Sequence, residues 1–412
     1  MPLKVVIVGA GLAGLAAAIA LHQSGHDVVV LEQSRFQNEV GAAISMAPNA
    51  TRILKSLDVD LEALQAVHCN GAWSWDALGN RLGKEIITKD TQEALHMSDS
   101  WLLTHRVDLH NALRDAAAKK VNGKQIDIRL ASRVALVDSE LGLVKLEDGT
   151  VYTGDLIVGA DGAHSRSVSA VTGEEPTKES TGQNCFRFLI PVPKLRANPL
   201  TAALLDKIGL DGVKAFIAPD RRLVMYPCRQ GTLLNCAGIH PADSSTMAKY
   251  SSWLDSGSVD SLVNTFQGFS PELQELCRLA EDMKLWSLAS RRPPQTFVKG
   301  KLALIGDAAH PILPHQGQGG AQAFEDCAAL GTLFPPDVVP EQVSQRLSLY
   351  NETRYAHAVT VMLMSQVPDE RRREMLETLR TYVPDAEMPE NMIAFTWSSY
   401  PARKAEMLLA AA

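Results

Sequence analysis

Several features that would place a chain in a class at once are missing here. The 412 residues include six cysteines: Cys69, Cys185, Cys228, Cys236, Cys277 and Cys327. No two stand at C-x-x-C spacing, and no cysteine and histidine set has the spacing of a zinc site. Neither a disulfide framework nor a metal site is expected, no residue is assigned as a metal ligand, and the cysteines read as reduced residues of a cytoplasmic protein. Positive charge is not in excess, the net charge being −7. A nucleic-acid partner would favour a basic surface, so none is expected. The short basic runs Arg221-Arg222, Arg291-Arg292 and Arg371-Arg372-Arg373 read as solvated faces. Past the N-terminal stretch, no segment approaches the roughly 18 to 20 apolar residues of a membrane span. There is no internal repeat, and no low-complexity segment beyond Ala410 to Ala412. What remains is the composition of a soluble globular chain, 46% hydrophobic and 21% charged, long enough for two or three domains.

What is present begins at Val5. Val5 to Val8 is a short buried β-run, followed by Gly9, Gly11 and Gly14 at G-x-G-x-x-G spacing. Leu12 to Gln23 is rich in Ala and Leu and suits a helix, Gly25 sits where that helix would stop, and Val28 to Leu31 is a second apolar strand ending at Glu32. The first glycine permits the turn, the second leaves no side chain between backbone and a pyrophosphate, and the third lets helix and sheet approach. The helix N-terminus then offers free N–H groups to phosphates, and Glu32 is placed to take a ribose. This is a dinucleotide site, and the motif alone serves NAD and FAD equally because both carry an ADP half. The apolar run behind Lys4 could pass for a secretory leader, but cleavage there would remove the strand and the phosphate turn, so that reading is rejected.

Further along, Asn49 to Leu57 reads as a helix and 71–89 as a β-hairpin around Gly79-Asn80. Val107 to Leu113 continues into an amphipathic helix that starts at Arg106. A cation at a helix N-terminus is mismatched with the helix dipole, which makes sense beside an anion. Glu147-Asp148-Gly149-Thr150 reads as a hairpin turn, 181–239 as β-rich, Met247 to Leu285 as helical, and the chain from Val339 onward as mostly helical.

Three distant pieces share one form, a short apolar strand ending in glycine with an acid close by: VVIVGAG, LIVGADG and LALIGDAAH. In a parallel sheet such strand ends lie together, and ligands bind there. With GAGLAG at 9–14, HRVDLHNAL at 105–113, GADGAHSR at 159–166 and GDAAHPILPHQGQGGAQAFEDCAAL at 306–330, the chain resembles the FAD-dependent class A flavoprotein monooxygenases, aromatic hydroxylases such as p-hydroxybenzoate and salicylate hydroxylase. The resemblance spans about residues 1–330 and points to a fungal-type member. One departure lies near the C-terminus, where relatives often carry Tyr-Asp after a Trp and this chain has Trp397-Ser398-Ser399-Tyr400.

The resemblance implies FAD held by Gly9, Gly11, Gly14, Glu32, Ala43, Arg106, Asp161, Asp307, Gly319 and Gly320. Asp307 would grip the ribityl chain, and the turn Gly317 to Gly320 would aim a helix N-terminus at the flavin. For Asp161 a turn cap is the alternative. His315 would lie near the flavin ring, or cap a turn. In the β-rich part, Arg187 and Tyr226 are candidate catalytic residues that would contact the substrate or its phenolate, against an ordinary ion pair and a core tyrosine. Strand alternation points Arg187 away from Phe186 and Phe188. Residues 158–162 lack a second G-x-G turn, so NADH or NADPH would bind transiently as reductant, without a Rossmann domain of its own.

The expected fold is α/β, with a doubly wound, Rossmann-like FAD domain (1–70, 101–175 and 286–335), a smaller β-sheet substrate domain (71–100 and 176–285) and a helical C-terminal region (336–412). The expected activity is NAD(P)H- and O₂-dependent hydroxylation of a small aromatic or polyketide-like phenol through a flavin C4a-hydroperoxide. The alternatives are a flavin oxidase or reductase without oxygen transfer, and a non-catalytic flavoprotein. The segment Trp73-Ser74-Trp75-Asp76-Ala77-Leu78 lacks the Ile-Pro of a halogenase W-x-W-x-I-P motif.

Overall fold

The computed structural model describes residues 1–36, 41–242 and 257–411. The strand Lys4–Val8 lies in the middle of a six-stranded sheet, parallel to Asp27–Leu31 on one side and Leu156–Gly159 on the other. Its apolar residues are buried on both faces, as a central parallel strand requires. The sheet runs in the order Val298–Lys299, Leu302–Leu304, Leu156–Gly159, Lys4–Val8, Asp27–Leu31, Asp127–Arg129, with only its first pair antiparallel. The three strands that end in glycine-acid turns are therefore neighbours, and the turns open at one end of the sheet.

The helix Leu12–Gln23 is as Ala-rich as its position demands. Residues Gly14 to His22 are all buried, and a Cβ placed on Gly331 of the Gly319–Leu333 helix would come within 3.2 Å of the Ala20 Cβ. Small side chains set that close approach. Gly14 cannot be replaced without movement, because its Cβ would fall 1.9 Å from the Gly9 carbonyl oxygen.

The second large sheet has seven strands, in the order Glu281–Ser290, Glu179–Pro191, Leu233–Pro241, Arg222–Cys228, Val213–Ile217, Gly71–Asp76, Arg81–Ile87. Alternation divides its residues. Phe186, Phe188, Ile190, Leu223 and Met225 face a core shared with the helices Pro199–Ile208 and Pro271–Arg278. Arg187, Leu189, Val224 and Tyr226 face the other way, into a cleft. A small sheet with Ala43–Met46 at its edge, Leu102–His105 in the middle and Val67–His68 beyond lines the same cleft. The architecture is α/β as expected, a mostly parallel sheet with a second sheet and helices, and among the described residues no helix is long and apolar enough to cross a membrane.

The 181–239 region is β-rich as expected, and helices Val192–Ala197 and Pro199–Ile208 stand between its first two strands. Their start signals were in the sequence: Asn198 accepts from the N–H groups of Leu200 and Thr201, and Pro199 occupies the first helical position. The helical reading of Met247 to Leu285 holds for Val259–Thr265 and Pro271–Arg278, lies outside the described residues at 247–256, and fails at Glu281–Ser290. That last segment is an edge strand paired with Glu179–Pro191, its Met283 and Leu285 alternating into the core. Nor is every basic run a solvated face. Arg291 is only 6% exposed, and Arg222 turns into the cleft.

Candidate active site

A cleft of about 2870 Å³ lies between the two large sheets. Backbone forms one end of it. Gly11 caps the Leu12–Gln23 helix without any side-chain hydrogen bond to the first turn. A Cβ on Gly11 would meet nothing within 4 Å, so the N–H groups behind it open onto empty space. Gly9, with φ +99°, makes the turn. Glu32 braces it from the next strand, one carboxylate oxygen accepting from the Ala10 N–H (2.7 Å) and the other from the Ser34 N–H (2.7 Å). Each oxygen keeps a further lone pair.

The Gly319–Leu333 helix likewise begins without a side-chain cap, and a Cβ on Gly319 would meet nothing within 4 Å. Gly320 is held against the Ala43–Met46 strand, where its Cβ would sit 2.9 Å from Met46 Cε and 3.1 Å from Ile44 Cδ1. Between these two helix N-termini stands Asp307. It is exposed to the cleft, and its carboxylate makes no hydrogen bond among the described residues. Burial raises its pKa above the ordinary carboxylate range, while His310, Arg291 and Arg106 act to lower it. Arg106 is the first residue of its helix; its N–H donates to the Ala42 carbonyl (3.0 Å) and its side chain lines the cleft unbonded among the described residues. Two uncapped helix termini, an unspent carboxylate and an unspent guanidinium suit a ligand carrying phosphates and hydroxyls.

Asp161 behaves differently. Its oxygens accept from Ser165 Oγ (2.6 Å), Arg166 N (2.8 Å), Ser167 N (3.0 Å) and Ser167 Oγ (3.1 Å). It caps the 161–167 turn that lines the cleft, the alternative open from the sequence.

Side chains form the other end. The Arg187 guanidinium lies 5.7 Å from the centre of the Trp286 ring. Tyr226 donates its hydroxyl proton to the Ala43 carbonyl (2.9 Å), and burial pushes its pKa up to about 12. Trp101, fixed through its Nε1–H to Ser45 Oγ (2.7 Å), meets Trp397 edge to face at 5.3 Å. Both tryptophans line the cleft. The tail carrying Trp397 is held by residues unlike those of the Tyr-Asp pattern: Ser399 Oγ donates to Glu325 (2.8 Å), and Arg52 covers the Tyr400 ring at 3.6 Å. His315 lies in the cleft wall with Nδ1 against the Arg222 guanidinium, and burial with that neighbour pulls its pKa down to about 3.

Sequence reasoning missed Arg222, Arg291 and Arg354. Arg291 donates to the carbonyls of Asp307 (3.3 Å) and Ala308, leaves Nε and Nη1 without a hydrogen-bond partner among the described residues, and has its pKa lowered to about 10 by burial. Arg354, 1% exposed, binds Asp326 (2.8 Å) and Glu325 (2.6 Å) on the Gly319–Leu333 helix, while Asp326 also takes the Gly306 N–H (2.9 Å) and His310 (2.7 Å). Asn49 joins Glu325 (2.7 Å) to Gln318 (3.1 Å). This buried network sets the Gly306-Asp307 turn and the helix start in register. No local spacing in the sequence connects Arg354 to these partners.

Residues 2–205 and 268–365 match the model of the FAD binding domain family. The chain belongs to that family. It is 35% identical over 365 residues to hispidin-3-hydroxylase of Neonothopanus nambi, covering 85% of each chain. It is 31% identical to the FAD-dependent monooxygenase cfoG of Aspergillus candidus, over 94% of this chain and 90% of that one. The fold matches that of a salicylate hydroxylase substrate complex with TM-score 0.76 at 22% identity, over 98% of both chains. The protein is an FAD-dependent monooxygenase of the aromatic hydroxylase type, and the unspent donors and acceptors of the cleft fit FAD.

Proposed function

We propose that this monooxygenase uses NAD(P)H and O₂ to hydroxylate a small aromatic or polyketide-like phenol. The observation that carries the reading is Arg187: its guanidinium lies beside the Trp286 ring on the cleft face that also carries Leu189, Val224 and Tyr226, opposite the backbone end that suits FAD. In this reading Gly9, Gly11 and Gly14 pass the pyrophosphate along the first helix N-terminus and Glu32 takes the adenosine ribose. Asp307 takes ribityl hydroxyls, and Arg106, Ala43, Asp161, Gly319 and Gly320 enclose the flavin end. The substrate part comprises 71–100 and 176–285. Once bound and reduced, the flavin supplies the electrons that activate O₂ and an electrophilic oxygen.

The chain's own part is to present an electron-rich ring and keep water away. A guanidinium is charged at any working pH and favours a phenolate or carboxylate beside it. Tyr226 donates a hydrogen bond from its hydroxyl to the Ala43 carbonyl, so its hydroxyl oxygen is left to accept from a substrate O–H. Leu189, Ala215 and Val224 offer water no hydrogen bonds. No second nucleotide turn follows the Leu156–Gly159 strand, only a one-turn helix at Gly162–His164 and the six-residue helix Ser167–Thr172. That supports a nicotinamide that visits and leaves. A relative from Klebsiella oxytoca, named 3-hydroxybenzoate 6-hydroxylase, supports a phenolic substrate.

The test is turnover under ¹⁸O₂ with a panel of phenols, following product mass and NAD(P)H consumption together. Product one ¹⁸O heavier, formed in step with NAD(P)H loss, is expected. H₂O₂ alone with every phenol would replace this reading with an oxidase, and no NAD(P)H consumption would replace it with a non-catalytic flavoprotein.

A further inference from the structure

The Ala43–Met46 strand is the edge of its small sheet. Successive residues of a strand send their N–H and C=O groups to opposite sides, so an edge strand leaves every second residue without a strand partner. Ala42 uses its carbonyl on the inner side, accepting from the Arg106 N–H at 3.0 Å. Ala43 therefore faces outward, toward the seven-stranded sheet. Among the described residues no strand meets it there. Instead its N–H donates to Asn235 Oδ1 (3.1 Å) and its carbonyl accepts from the Tyr226 hydroxyl (2.9 Å).

Tyr226 and Asn235 are direct cross-strand partners on Arg222–Cys228 and Leu233–Pro241. Asn235 is only 3% exposed, so a polar side chain there needs a partner, and Ala43 supplies it. One donor and one acceptor, side by side on neighbouring strands, thus hold both polar groups of a single residue. A backbone ladder would tie the two sheets rigidly along their length. Two side-chain hydrogen bonds fix only the height of one point. That point matters because Ile44 and Met46, just beyond it, press on Gly320, and Gly317 lies within 3.6 Å of Ser45 when given a Cβ.

We infer that Tyr226 and Asn235 form one positioning device that sets the distance of the Ala43–Met46 strand from the Gly317 to Gly320 turn, and so the width of the slot for the flavin. The inference rests on the flavin placement proposed above, but not on the identity of the substrate. Asn235 is a positioning residue acting through Ala43. Tyr226 has this role in addition to facing the substrate.

The experiment uses the purified enzyme without substrate and compares Tyr226→Phe, Asn235→Leu and the double variant. Bound flavin is read by its visible absorption bands, and FAD affinity by titrating apoprotein with FAD. Each single variant is expected to shift the bands and weaken FAD by about fivefold, the size of one neutral hydrogen bond. The double variant is expected to weaken FAD by less than the product of the two, because both bonds hold one peptide segment. Wild-type bands and wild-type FAD affinity in both single variants, whatever happens to thermal stability, would overturn the inference. Fully multiplicative effects would also overturn it, showing two independent contacts. If Asn235→Leu does not fold, Tyr226→Phe decides alone by its bands, since it removes one oxygen and leaves the ring. Because no substrate is present, a wild-type enzyme that failed to hydroxylate any phenol would leave this result standing.

Discussion

The two large sheets present their sites in opposite ways. The six-stranded sheet offers backbone: helix N-termini at Gly11 and Gly319 where an added Cβ would touch nothing, with one acid, Asp307, between them. The seven-stranded sheet offers side chains, Arg187, Tyr226 and Val224 standing on alternate positions of its cleft face. A site made of backbone tolerates one residue type at each close approach, so it writes glycines into the sequence at fixed spacing. A site made of side chains needs only the alternation that any half-buried strand has. The first therefore defines a family, while the second is free to define a substrate.

The hardest way to break this comparison is to put a side chain on the backbone sheet. Gly14→Ala is expected to cost the most, because its Cβ would lie 1.9 Å from the Gly9 oxygen and 2.9 Å from the Gly9 carbonyl carbon. Backbone must move, and we expect a loss of at least about 3 kcal/mol of stability, the upper part of the overpacking range, seen in denaturant unfolding of the apoprotein. Gly11→Val separates folding from binding at the next glycine of the motif. Its Cβ enters empty space, so apoprotein stability should stay within about 0.5 kcal/mol of wild type, while the purified protein should carry almost no FAD. A yellow Gly11→Val protein with full FAD occupancy would mean that the pyrophosphate does not pass there.

Asp307→Ala tests an unspent side chain on the backbone side. A hydrogen bond to a charged group contributes about 1.5–3 kcal/mol, so FAD should bind roughly 10- to 150-fold more weakly, measured by titrating the apoprotein. An unchanged dissociation constant would take Asp307 out of the cofactor site.

The same contrast decides what could be read from the sequence. The strand Lys4–Val8, the helix Leu12–Gln23 and the turn at Gly306-Asp307 were legible because steric rules leave them little choice. Arg187 was legible as a lone charge between phenylalanines. The strand Glu281–Ser290 was not, because it follows a true helix closely and its Glu, Asp and Lys disguise the alternation of Met283 and Leu285. Arg291 and Arg222 each sit in an Arg-Arg pair, and charge alone cannot say which of two neighbours turns inward. The Arg354 network joins residues from 49 to 354, and local pattern carries no information about such contacts.

On the side-chain sheet, Arg187→Gln should leave FAD in place and change the chemistry. Without the cation, the bound phenol should have a higher pKa, and the pH optimum of hydroxylation should move upward. Product formed per NAD(P)H consumed should fall several-fold, with H₂O₂ making up the difference. Wild-type coupling and an unmoved pH profile would make Arg187 a structural residue and leave the FAD assignment intact.

The smallest effect sharpens the comparison in the apoprotein. The Asp307 carboxyl has its pKa raised by burial despite Arg291, Arg106 and His310 nearby, and it has no hydrogen-bond donor of its own among the described residues. A carboxyl whose folded pKa lies above its unfolded value of about 3.9 is fully tolerated below that pH. As pH rises through the folded pKa, the charged form appears in a place that disfavours it, and stability contributed by the group is lost. Asp307→Asn removes the charge and keeps the shape. The apoprotein variant should therefore melt slightly higher than wild-type apoprotein at pH 7, and the gap should close as pH approaches about 4. With FAD added the order should reverse, because the carboxylate then has hydroxyl donors that an amide serves less well. Identical melting of the two apoproteins from pH 4 to 7 would show that Asp307 is solvated well enough to carry its charge without cost, and that its worth to the enzyme lies in the cofactor contact alone.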